Sequence, residues 1–128
     1  MRANMKIWIY SGISAFLILP ACQPNQAVMR ANASDKKQEI LRIIPLGSSY
    51  AKARELMTAN GYRCEVSNEP FIVVNNGRQE RVRTGLNYLY CDKRESASYL
   101  VTRRWQIAVV NQNEKVSDIF VSTGLAGP

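Results

Sequence analysis

The stretch Arg104-Trp105-Gln106-Ile107-Ala108-Val109, followed by a polar turn over 111–115 and by Val116-Ser117-Asp118-Ile119-Phe120-Val121, decides the fold. Trp105, Ile107 and Val109 fall on alternate positions and so on one face of an extended chain. After the turn, Ile119 and Val121 bring a second strand back with its apolar side inward. Upstream, Leu86-Asn87-Tyr88-Leu89-Tyr90-Cys91 alternates in the same way and puts Leu89 and Cys91 on one face. Phe71-Ile72-Val73-Val74 is a short apolar run closed by Asn75-Asn76-Gly77, a turn signal. Tyr62-Arg63-Cys64-Glu65-Val66 alternates as well. The polar segment 77–85 reads as a loop, and 124–128 as a tail.

Before these strands the period is helical. Asp35 with Gln38 fits a capping box, and Ile40, Leu41, Ile43 and Ile44 follow at helical spacing until Pro45. Ser48 or Ser49 caps a second helix, along which Tyr50, Ala53, Leu56 and Met57 make one apolar face. Gly61 suits the left-handed cap that ends it. The expectation is therefore an α+β domain: two N-terminal helices packed on a small antiparallel β-meander.

The chain has 128 residues, enough for one domain with appendages, and its 46% hydrophobic and 21% charged content is that of a globular protein. There is no histidine. Imidazole-dependent nucleophilic catalysis is thereby excluded, and zinc chemistry nearly so, since Cys22, Cys64 and Cys91 show no paired spacing. Glu80, Asp92, Glu95, Glu114 and Asp118 single out no acid and base pair. The expectation is a protein without catalytic residues, metal or cofactor. The net charge is +7. The first 21 residues hold Arg2 and Lys6 and no acid, which leaves 15 bases against 10 acids beyond them. This surplus favours anionic partners.

Met1-Arg2-Ala3-Asn4-Met5-Lys6 is a short basic lead, and a start at Met5 would leave Lys6 to serve. An apolar run over 7–19 follows, too short for a membrane span of about 20 residues but right for an export signal over 1–21. It ends in Leu19-Pro20-Ala21-Cys22, which resembles the bacterial lipobox, although Pro20 stands where a small residue is usual. The resemblance implies a diacylglycerol on the Cys22 thiol, cleavage before it by signal peptidase II, and acylation of the new amine. Under the Gram-negative sorting rule, Gln23 in place of Asp implies transfer to the outer membrane, with the domain on its periplasmic face. No nucleic-acid partner is expected there. Residues 22–34 read as a lipidated flexible tether and 35–128 as the domain.

Cys64 and Cys91 both fall in expected strands, and export would place them in an oxidising compartment. A disulfide between them would close a loop of roughly thirty residues and contribute about 3–4 kcal/mol on the chain-entropy estimate. The alternative is a pair of buried thiols.

The stretch 45–64 resembles small periplasmic domains of the SmpA/OmlA type, the β-lactamase-inhibitor-protein-like fold. The matches are Gly47-Ser48-Ser49, Leu56 and Gly61-Tyr62, with a late strand pair at 105–109 and 116–121. The pattern covers most of 35–122 and implies helices on an antiparallel sheet. Family members often assist outer-membrane assembly or bind other proteins. No functional residue carries over, because the matches are fold-making positions.

Arg78, Arg81, Arg83, Lys93, Arg94, Arg103 and Arg104 would form one patch for an anionic partner if the hairpins align. Otherwise they are a solvated face offset by Glu80, Asp92 and Glu95. Tyr88, Tyr90 and Tyr99 either offer a protein contact on the outer sheet face or pack beneath the long loop. These features point to a membrane-tethered module that binds an envelope protein or assists assembly. The alternative is a periplasmic inhibitor or ligand-binding lipoprotein. The net positive charge argues against basic lysozymes as that inhibitor's target. The oligomeric state is left open.

Overall fold

The computed structural model describes residues 28, 29 and 31–127. The export signal, Cys22 and most of the tether lie outside the described residues. Helix α1 spans Ala33–Ile43 and α2 spans Tyr50–Ala59. Six strands follow: β1 Arg63–Ser67, β2 Phe71–Asn75, β3 Arg78–Arg83, β4 Tyr88–Ser98, β5 Val101–Gln112 and β6 Lys115–Ala126.

Helix α1 starts at Ala33, before the capping box over 35–38, because Asn32 is the cap. Its side-chain oxygen accepts from the Asp35 amide at 2.9 Å. Structure thus begins inside the segment expected to be tether. Ser49 caps α2, accepting from the Lys52 amide, and Gly61 leaves it at φ +89. The two helices do not form a paired layer on the sheet. Helix α1 lies against β6, while α2 lies against β1 and more lightly against β6. The connection between them is pinned to the β5–β6 hairpin: Gly47 N–H donates to the Val116 carbonyl and Tyr50 N–H to that of Glu114.

The sheet runs β1-β4-β5-β6-β2-β3 and is mixed. The expected antiparallel meander holds only for β4-β5-β6, because β2 joins β6 in parallel, with Asn75 opposite Thr123. The side chain of Ser122 completes this join. Its hydroxyl accepts from Val74 N–H at 2.9 Å and lies 3.2 Å from the Val74 carbonyl, to which it donates. Strand β3 occupies the segment read as a loop. It is an edge strand of sequence RQERVR, without the apolar alternation that marks a half-buried strand.

Two cores result. The larger lies on the helix side and unites Ile40, Ile44, Ala53 and Met57 with Leu89, Cys91, Trp105, Ile107, Val109, Ile119 and Val121. The smaller lies on the opposite sheet face, where Phe71 and Val73 of β2 cover Tyr88, Ala108, Val110 and Phe120. Strand β2 therefore crosses that face obliquely. Its end pairs with β6, and its start sets Phe71 edge-on to Tyr88, with ring centroids 5.7 Å apart. At about 25 cal/mol per Å² of buried apolar area, this one aromatic contact is a substantial part of net stability.

Cys64 and Cys91 are direct cross-strand partners, a placement within the Cα separation a disulfide needs. Their sulfurs lie 2.7 Å apart as free thiols, against about 2.05 Å for the bond. The expected disulfide is therefore not formed here; the two cysteines stand as a juxtaposed thiol pair.

Candidate functional site

The outer sheet face is concave. Tyr88 and Tyr90 of β4, Gln106 of β5 and Ser122 of β6 share it because all occupy the register opposite to the helix-facing Leu89, Cys91, Ile107 and Val121. Strand β1 stands on one side and the obliquely crossing β2 on the other, joined by the 68–70 loop. Between them lies a cleft of about 610 Å³, walled by Glu65, Val66, Glu69, Pro70, Ile72 and Val74. That volume is in the range that encloses a small ligand or a short length of chain.

Hydrogen bonds fix the floor. Gln106 Nε2 donates to the Tyr90 hydroxyl at 2.6 Å. Ser67 Oγ lies 3.3 Å from the Tyr88 hydroxyl and accepts from the Glu69 amide, which holds the loop over the end of the cleft. Beyond Tyr90 the concavity continues past Arg63, Glu65, Asp92 and Arg104. There Arg104 Nε donates to Asp92 Oδ1 at 3.0 Å, and this bond is the main reason the guanidinium pKa is raised. The charged side chains lining the main cleft are Glu65 and Glu69, so its rim is acidic although the chain is basic. Ile72 is a large apolar residue left exposed at its wall, whereas Val66, 65% exposed on β1, is paired opposite Leu89 and carries its side chain on the helix side.

The seven bases expected to form a patch are separated. Arg103 is buried to 1% exposure and is structural. It donates to the carbonyls of Val28 at 3.1 Å and Met29 at 2.8 Å, to Thr123 Oγ1 at 3.2 Å, and to Asn76 Oδ1. Burial lowers its pKa. Arg104 is committed to Asp92. Lys93 donates to the Asn60 carbonyl at 2.9 Å and lies over the Tyr62 ring on the helix side. Arg83 lies 4.5 Å over the Phe120 ring. Arg78, Arg81 and Arg94 remain exposed, the first two on edge strand β3 and the third on β4 near the other side of the sheet. Lys93 and Arg83, stacked on aromatic rings, and Arg103, buried in the core, had no sequence signal beyond their charge.

The tyrosines also part company. Tyr88 is buried under Phe71, Tyr90 is half-buried in the cleft floor, and Tyr99 is 89% exposed at the β4–β5 turn. Sequence reasoning missed the cleft, since β2 crossing the outer face is a tertiary event. Ile72 could have been singled out as an apolar residue that alternates with buried Phe71 and Val73.

Cys64 and Cys91 adjoin this site on the helix side. The Cys91 thiol donates to the Cys64 sulfur, which lowers the Cys64 pKa; that same bond, with burial, raises the Cys91 pKa. Among the described residues no cluster of three Asp, Glu or Cys side chains could hold a metal ion. No helix among them is long and apolar enough to cross a membrane. No protein-family model, curated protein or solved structure matches the chain.

Proposed function

We propose that this chain is a lipid-anchored envelope lipoprotein whose domain acts without catalysis, by holding a segment of an envelope protein in the outer-face cleft. The cleft carries the binding half of the reading. It has a hydrogen-bonded polar floor, an exposed apolar wall at Ile72, and an acidic rim at Glu65 and Glu69. Such a surface suits a partner segment that is apolar in its middle and basic at its flank. The address half rests on the leader and on the lipobox-like sequence 19–22. Resemblance to the SmpA/OmlA type supports the same role. Export also completes the cysteine pair: a disulfide oxidant of that compartment accepts two electrons, both thiols lose their protons, and a Cys64–Cys91 bond forms.

The test is photo-crosslinking in intact cells from residue 70 or 72, both exposed in the cleft lining, with residue 46 as an exposed apolar control. The expected result is one discrete adduct shared by positions 70 and 72, absent from 46, and lost with Glu65→Lys/Glu69→Lys. Equal labelling from all three positions would defeat the reading. The acidic rim also favours a second reading, an inhibitor that seats a basic hydrolase. Inhibition of lysozyme by the purified protein, abolished by the same charge reversals, would replace the first.

A further inference from the structure

One end of the domain combines three features that its internal packing does not explain. The turn joining β4 to β5 is Tyr99-Leu100, and these are 89% and 60% exposed. Leu100 holds φ +69, a left-handed conformation that costs a branched side chain energy and that Gly or Asn would take readily. An apolar side chain thus stands in water at a position whose backbone also disfavours it. Leu125 of β6 is exposed as well and is paired opposite Arg103, three residues along β5 from this turn.

The chain enters the domain at the same end. Arg103 grips the carbonyls of Val28 and Met29. Cys22 lies six residues before Val28, at most about 22 Å of extended chain. Leu100 is about 10 Å of strand from Arg103. Arg103 also binds Asn76 in the β2–β3 turn, and Arg78 follows that turn, exposed. An acylated Cys22 therefore cannot let this end stray far from the lipid surface.

We infer that the Tyr99-Leu100 turn is a membrane-docking tip: it enters the lipid interface beside the anchor, with Leu125 beside it and Arg78 toward headgroup phosphates. Tyrosine and leucine are the residues an interface takes up, the ring at headgroup level and the aliphatic chain below it. Arg78 would meet anionic headgroups. Docking by this end orients the domain, because the β5–β6 turn and exposed Leu46 lie at the opposite end of the strands. The inference rests on the lipid anchor of the proposed function.

The experiment uses the full, cell-processed protein in vesicles of phosphatidylethanolamine and phosphatidylglycerol that carry brominated acyl chains. Tyr99→Trp is the reporter, Leu46→Trp the control, and the unsubstituted chain supplies the Trp105 background. Flotation is measured first. Protein that floats should show blue-shifted, strongly quenched emission from Tyr99→Trp and unquenched emission from Leu46→Trp. Adding Leu100→Asn to the reporter, a change the left-handed backbone accommodates, should weaken the quenching while the protein still floats. Floating protein with both indoles unquenched, or both equally quenched, overturns the tip and leaves the anchor standing. Protein that does not float overturns the anchor, and the tip with it.

Discussion

Arg103 carries its charge into the interior and spends its donors on neutral oxygens of three separate segments: 28–29, the β2–β3 turn and β6. Its planar fork reaches them together, which a single ammonium cannot do. Arg103→Lys is therefore expected to cost about 2 kcal/mol, the order of a lost charge-assisted bond. The urea midpoint should fall with an unchanged slope, and exchange at the Ala33 amide should quicken. Tyr62 tests burial in another way. Its hydroxyl is enclosed with no hydrogen-bond partner among the described residues, and burial, with Glu39 and Glu95 adding, raises its pKa. The folded state then keeps a proton that the unfolded chain releases above about pH 10, so stability falls as pH rises from there. Tyr62→Phe should lie within about 1 kcal/mol of the parent at pH 7 and lose part of that alkaline decline. An unchanged decline would show that the phenol is not the group responsible.

At the scale of elements, the weakest join in the sheet is the one between β2 and β6, a single parallel pair completed by the Ser122 hydroxyl. Ser122→Ala should cost about 1–2 kcal/mol and leave the Val74 amide unpaired. Hydrogen exchange would then rise at Val74 and stay slow at Leu89 in the middle of β4. Equal acceleration at both would mean that β2 is not separately hinged. The same join marks where the sequence stops being legible. Strands with one dry face announced themselves, as at Trp105, Ile107 and Val109, and so did the Ser49 and Gly61 caps. Strand β3 did not, because an edge strand needs no apolar face. Nor did the placement of β2, since the run Phe71-Ile72-Val73-Val74 has no alternation to say which face it covers. The cleft follows from that placement and was hidden with it. The basic patch failed for a related reason: charge along the sequence does not reveal which side chains a core or an aromatic ring will claim.

The two proposed surfaces lie at different places on the molecule. One end gathers the entering chain, the Arg103 grip and the Tyr99-Leu100 turn, while the concave outer face opens between β1 and β2. An anchored, oriented domain that presents a cleft is the account proposed for this chain, and everything in it depends on acylation of residue 22. Intact mass of the protein extracted from membranes of producing cells tests that most directly. The account predicts residues 22–128 bearing a diacylglycerol thioether and an amide-linked acyl chain on Cys22, with two hydrogens missing for the Cys64–Cys91 bond. A mass equal to residues 1–128, unacylated and with free thiols, would contradict it.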